Sequence, residues 1–246
     1  MSMKGVVLAG GLGTRLRPLT RITNKHLLPV YNKPMIYYPI EMLVEAGLRD
    51  ILLVTGGNSA GDFLRLIGNG EDFGLSRINY AYQKNEGGIA EALGLAREFV
   101  GSDKIVVVLG DNILQHGIKG GVERFSSQPG GSRIFLKRVE HPQEYGIAEI
   151  EENRIRRIVE KPPDPPGNLA VIGVYMYPPD VFDVIETLEP SARGELEITD
   201  VNNAYVERGE MEYEIIDGWW LDAGGNYEAL LRANLTIARR EGIDIL

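Results

Sequence analysis

The chain contains no cysteine in its 246 residues, which excludes disulfides and thiolate chemistry together. Histidine is scarce, with 3 residues, but a hard divalent cation needs only a few carboxylates with phosphate oxygens and water, and no His or Cys cluster. No apolar run reaches the roughly 18 residues that a membrane helix needs. The amino terminus lacks a charged segment followed by an apolar one, so no secretory leader is expected. Positive charge is in deficit as well: 26 Lys and Arg stand against 35 Asp and Glu, a net charge of −9. That balance argues against nucleic acid or an anionic membrane as a partner. No internal repeat, low-complexity tract or linker interrupts the chain. A hydrophobic content of 43% and a charged content of 25% are ordinary for a globular protein. These features predict a soluble, cytoplasmic protein folded as one domain over residues 1–246.

Hydrophobic periodicity supplies the fold class. Apolar runs bounded by turns at 4–9, 50–55, 77–83 and 104–109 read as strands. Between them, apolar residues spaced three and four apart at 40–46, 59–67 and 89–100 read as helices, with Pro39 kinking the first or marking its start. This βαβ alternation predicts an α/β fold with a Rossmann-like, mixed, mostly parallel sheet flanked by helices. The second half predicts strands at 134–139, 146–150, 154–160 and 170–177, another within 210–221, and helices at 180–188, 198–208 and 226–241. In such folds ligands sit beyond the carboxyl ends of the strands.

The first strand runs directly into Gly10-Gly11-Leu12-Gly13, then Thr14 and Arg15, with Lys25 following. A glycine-rich turn after a strand lets backbone N–H groups approach phosphate oxygens, and Arg15 and Lys25 add the charge a polyphosphate needs. Leu16 stands where a dinucleotide fingerprint needs Gly or Ala, and Thr14-Arg15 replaces the Lys-Ser/Thr of a Walker A loop. The extended string, with Arg15, Pro18, Thr20, Lys25 and Pro29 in register, resembles the signature of the sugar-phosphate nucleotidyltransferases. Its continuation, Tyr31 to Pro39, is similar to the glucose-1-phosphate thymidylyltransferase branch. The resemblance implies that residues 1–115 form a nucleotide-binding half and 116–246 a sugar-phosphate-binding half.

Asp111 ends the apolar strand Ile105–Leu109 through Gly110, and Asp222 lies in Trp219-Trp220-Leu221-Asp222-Ala223-Gly224. Read from the residues alone, Asp111 is either a metal ligand or a turn aspartate, and Asp222 either a ligand or a helix cap. The resemblance implies that both bind Mg²⁺, and that Arg15, Lys25, Asp111 and Lys161 form the catalytic set. It places Leu8, Gly10, Gly11, Gly13, Thr14, Gln83 and Gly88 against the nucleotide, with Gln83 and Gly88 at the base. Gly146, Glu160, Lys161, Val171, Tyr175 and Arg193 would receive the sugar phosphate. The string Glu197-Ile198-Thr199-Asp200 also fits a helix start capped by Thr199 or a neighbour.

Two positions depart from the longer thymidylyltransferases: His26 replaces a glutamine, and Lys84-Asn85-Glu86 replaces a Pro-containing loop. Longer members carry a further helical extension that helps form a regulatory nucleotide site, so feedback of that kind is not implied here. The implied reaction joins dTTP and glucose 1-phosphate, in an enzyme expected to be a homo-oligomer. The alternatives are UTP or another hexose 1-phosphate as substrate, and a non-catalytic nucleotide-sugar sensor. A dinucleotide oxidoreductase is disfavoured by Leu16.

Overall fold

Strands buried on both faces read as continuous apolar runs, and successive residues of such a strand feed opposite sides of the sheet. The computed structural model, which describes residues 3–244, has this form. In chain order the elements are β1 (Met3–Ala9), β2 (Pro29–Val30), β3 (Lys33–Pro34), α1 (Tyr37–Glu45), β4 (Ile51–Gly56), α2 (Ala60–Ile67), β5 (Ile78–Gln83), α3 (Ile89–Gly94), α4 (Arg97–Val100), β6 (Lys104–Leu109) and β7 (Asn112–Leu114). There follow α5 (Lys119–Ser127), β8 (Ser132–Arg138), β9 (Gly146–Glu151), β10 (Arg154–Glu160), β11 (Leu169–Tyr177), α6 (Val181–Glu186), α7 (Ile198–Glu207), β12 (Met211–Ile215), β13 (Trp220–Asp222) and α8 (Tyr227–Arg240).

The main sheet has the order β10-β9-β11-β6-β1-β4-β5, with β8 pairing both β11 and β12. β6, β1, β4 and β5 run parallel, and β11 joins β6 antiparallel with Val107 opposite Tyr175. Along β1, Val6 and Leu8 enter one core layer with Leu93, Tyr177, Phe182 and Tyr205. Val7 and Ala9 enter the other, with Ile40, Leu43, Phe63 and Phe125. The expected mixed sheet flanked by helices is therefore present. β9 and β10 form a hairpin whose two linking residues, Glu152 and Asn153, both take φ near +50 to +60° (49° and 61°), as a two-residue turn matched to strand twist requires.

Several boundaries differ from the sequence expectation. The helix expected at 89–100 is two short ones, α3 and α4. α1 starts at Tyr37, which puts Pro39 in the first turn, where its missing N–H costs nothing. The strand expected within 210–221 is β12 and β13, in different sheets. α5 has no counterpart in the sequence expectation, since Gly120 and Gly121 weaken its helical pattern. Gly121 is there for packing: a Cβ on it would lie 2.4 Å from the Phe135 ring.

Candidate active site

The parallel strands β1 and β6 end side by side, which brings the glycine turn and Asp111 to one edge. β13 then pairs antiparallel with β7, and its register sets Asp222 opposite Asn112. The Ala223 N–H donates to the Asp111 carbonyl at 2.9 Å. A Cβ on Gly224 would come 2.5 Å from Asp111 Oδ2, so only glycine leaves the carboxylate its place. Asp222 caps no helix: the cap of α8 is Asn226, whose side chain accepts the Ala229 N–H at 2.8 Å.

The segment between Gly10 and Pro29 carries three single-turn helices at 14–16, 19–21 and 25–27. Gly13 opens it in the left-handed region at φ 62°, and the Thr20 hydroxyl donates to the Gly13 carbonyl at 2.7 Å. The Asn24 amide donates to the carbonyls of Ala9 and Gly11, so its Oδ1 faces His26, where it accepts the backbone N–H. That orientation assigns the hydrogen to His26 Nδ1, 2.7 Å from the same oxygen. Lys25 is thereby delivered to Asp111, its Nζ 2.5 Å from Oδ2.

Electrostatics separate these groups sharply. Burial lowers the His26 pKa to about 3, helped by the neighbouring Lys25 charge, so the ring is neutral. Burial opposes the ionisation of Asp111, yet the Lys25 ammonium, with hydrogen bonds from Lys25 and Asn112, holds it well below the usual carboxylate range. Asp222 goes the other way, pushed up to about 7 by its enclosure and then by the Asp111 charge. Lys25 has its pKa raised despite burial, because Asp111 and Asp222 both favour the ammonium.

Every residue assigned from the sequence lines one of two adjoining cavities. The larger, about 410 Å³, is lined by Gly11, Gly13, Thr14, Arg15, Lys25, Asp111, Gly146, Glu160, Lys161, Val171, Tyr175, Arg193 and Asp222. The smaller, about 220 Å³, is lined by Leu8, Gly10, Gly11, Lys25, Gln83, Gly88 and Asp111, with His26. Gly11, Lys25 and Asp111 are shared, so they stand at the junction. Arg193 is engaged within the protein, on Glu197 at 2.7 Å, Glu195 at 3.5 Å and Glu160 at 3.7 Å. Lys161 sits in the left-handed region at φ 41°, a cost for a non-glycine residue that recurs at functional sites. Thr199 does not cap α7, whose cap position is Glu197; its hydroxyl donates instead to Glu160 Oε2 at 2.7 Å.

Some lining residues carry no motif. Asn112 is buried; its Oδ1 accepts from Trp220 Nε1 at 2.7 Å and the Gly173 N–H at 2.9 Å, while Nδ2 donates to Asp111 Oδ1 at 3.1 Å. Tyr145 meets Trp220 edge to face, ring centres 5.1 Å apart. The only sequence trace of this group is its place beside motif residues.

A fold of this topology, with a glycine turn, a lysine and two aspartates gathered beyond the strand ends, is that of a transferase of the nucleotidyl class. The nucleotidyl transferase family model matches residues 4–240, and the chain belongs to that family. It is 46% identical over 94% of its length to the low-salt glycan biosynthesis nucleotidyltransferase Agl11 of Haloferax volcanii, of which it spans 65%. It is 45% identical over 94% of its length to the glucose-1-phosphate thymidylyltransferase of Neisseria meningitidis, of which it spans 81%. Among solved structures, a candidate glucose-1-phosphate thymidylyltransferase from Bacillus anthracis in complex with sucrose superposes with a TM-score of 0.92 at 46% identity, covering 100% of this chain and 98% of that one. A UDP-glucose pyrophosphorylase complexed with UDP-glucose gives 0.85 at 26% identity, covering 98% of this chain and 100% of that one. Among the described residues no helix is long and apolar enough to cross a membrane.

Proposed function

We propose that the chain transfers a thymidylyl group, converting dTTP and α-D-glucose 1-phosphate to dTDP-glucose and pyrophosphate. The observation that carries this reading is the meeting of the two cavities at Lys25 and Asp111, with Arg15, Lys161 and Arg193 along the larger one. The relatives named for this reaction, at 41–45% identity over most of the chain, support it. A sugar-phosphate oxygen attacks the α-phosphorus in line; its new P–O bond forms as the bond to the β-phosphate oxygen breaks, and pyrophosphate leaves. No side chain becomes a covalent nucleophile. Catalysis consists of holding two anions together and neutralising charge as it develops.

Arg15 and Lys25 would take the departing pyrophosphate, Lys161 and Arg193 the attacking phosphate, and the N–H groups around Gly11 and Gly13 the triphosphate. Gln83 and Gly88 would face the base, and Glu160, Gly146, Val171 and Tyr175 the hexose. Asp111 and Asp222 fit a divalent cation, Mg²⁺ in this reading. Enclosure and then the neighbouring Asp111 charge raise the Asp222 pKa, and a cation held by the two residues would relieve both. Mg²⁺ completes its shell with phosphate oxygens and water, so two carboxylates would suffice to hold it. When bound, such an ion supplies charge neutralisation at the phosphates.

The test is pyrophosphate release with glucose 1-phosphate and Mg²⁺, in parallel with dTTP, UTP, ATP, CTP and GTP. Release with dTTP well above the others is expected. Equal or greater release with UTP would move the assignment to a uridylyl transferase, and silence with all five would end the catalytic reading.

A further inference from the structure

The wall of the smaller cavity includes the Gln83 amide, which has one way to sit. Its Nε2 donates to Glu91 Oε2 at 2.7 Å and to the Gly88 carbonyl at 3.3 Å, so both amide hydrogens are committed to the protein. The same Glu91 oxygen accepts the Gly87 N–H at 3.0 Å. Turned over, the amide would set Oε1 against a carboxylate and a carbonyl, three acceptors with no hydrogen among them. Glu91 can only accept, so it fixes the orientation.

The glycines on either side make room for this arrangement. A Cβ on Gly87 would lie 2.4 Å from Glu91 Cδ, and one on Gly10 would lie 2.3 Å from Gln83 Oε1. That oxygen receives no hydrogen bond from any described residue, although Gln83 is only 8% exposed. No side-chain nitrogen or oxygen among the described residues is both fully enclosed and unpartnered. Oε1 therefore opens to the cavity that Gln83, Gly10 and Gly88 line, as an acceptor awaiting a donor.

We propose that Glu91 is a positioning residue for base selection. Through Gln83 it presents a fixed acceptor that takes the N3–H of a 2,4-dioxopyrimidine and refuses cytosine, whose N3 has no hydrogen. The inference rests on the nucleotide reading of the cavity given above. It separates thymine and uracil from cytosine, not from each other. Glu91 also lies in the first turn of α3, but a role confined to capping that helix would change stability and leave base choice untouched.

The experiment compares wild type, Glu91→Gln and Gln83→Met, singly and combined, with dTTP and dCTP. Turnover with glucose 1-phosphate, calorimetric binding of each triphosphate alone and the thermal midpoint are all recorded. Glutamine at 91 offers a donor as well as an acceptor, so the Gln83 amide can turn. Glu91→Gln should narrow the dTTP-to-dCTP ratio of kcat/KM by about tenfold or more, within the range one hydrogen bond controls. The change should come through KM, with dTTP kcat within about twofold of wild type. In the Gln83→Met background the same substitution should narrow the ratio no further. An unchanged ratio in Glu91→Gln overturns the proposal, as does equal narrowing without Gln83. If the wild type turns over neither triphosphate yet binds dTTP in preference to dCTP, and Glu91→Gln erases that preference, the catalytic reading fails and the positioning role stands.

Discussion

Asp222 and His26 hold unusual protonation states for opposite reasons, and each has a pH signature. The Asp222 carboxyl is raised from 3.8 to about 7. Between those values the folded chain keeps a proton that the unfolded chain has lost, so this group destabilises the fold increasingly as pH rises. His26 is lowered from 6.5 to about 3. Its contribution is complete above pH 6.5 and is lost as pH falls toward 3, so between about 4 and 6.5 the two slopes oppose each other. A cation held by Asp111 and Asp222, with Lys25, Arg15 and Lys161 as the other charges acting on Asp222, would displace the Asp222 proton. Mg²⁺ binding at pH 6 should therefore release close to one proton and at pH 8.5 almost none. Calorimetry in two buffers of different ionisation enthalpy measures this, and Asp222→Asn should abolish the release. Arg15→Ala should lower turnover by about 10²–10³-fold with an unchanged thermal midpoint, since the side chain is exposed; stopped assays and calorimetry check both. Asp111→Asn should remove the metal dependence, read as loss of Mg²⁺-stimulated pyrophosphate release.

At the scale of elements, β11 and α7 are joined by a buried hydrogen bond from the Tyr177 hydroxyl to Asn202 Oδ1 at 2.6 Å. Tyr177→Phe leaves that acceptor alone, and chemical denaturation should show a loss of about 1–3 kcal/mol with kinetics preserved. The elements that periodicity made legible are those with long, unbroken patterns. Val6 to Ala9 and Ile105 to Leu109 are apolar throughout because they are covered on both faces. α5 was hidden because Gly121 serves the Phe135 contact rather than helix propensity. The 89–100 pattern is broken between α3 and α4 by the turn around Leu95, a break that apolar spacing alone does not register. β7 and β13 are three residues each, too short for any pattern, and they exist because each supplies the other's hydrogen bonds.

At the scale of the whole molecule, the two halves share one sheet through β6 and β11 and one apolar layer that draws Val6 and Val107 together with Tyr175 and Tyr205. Thermal unfolding should accordingly be a single transition, with far-UV dichroism and the near-UV signal of the two tryptophans coinciding; two separated transitions would establish independent halves. The same sharing explains which parts of the site the sequence exposed. Arg15, Lys25, Asp111 and Asp222 are visible because each sits in a string of fixed spacing. The links among Asn112, Trp220 and Gly173 depend on strand neighbours distant in sequence, and the tie from Glu91 back to Gln83 depends on how the turn from β5 to α3 folds, so neither leaves a spacing to read. The β7–β13 pairing also has a meaning for synthesis. Asp222 is the 222nd of 246 residues, so a nascent polypeptide displays its glycine turn, Lys25 and Asp111 long before the second carboxylate leaves the ribosome. A product interrupted before β13 would lack that second carboxylate, and turnover would itself certify that synthesis had passed residue 222.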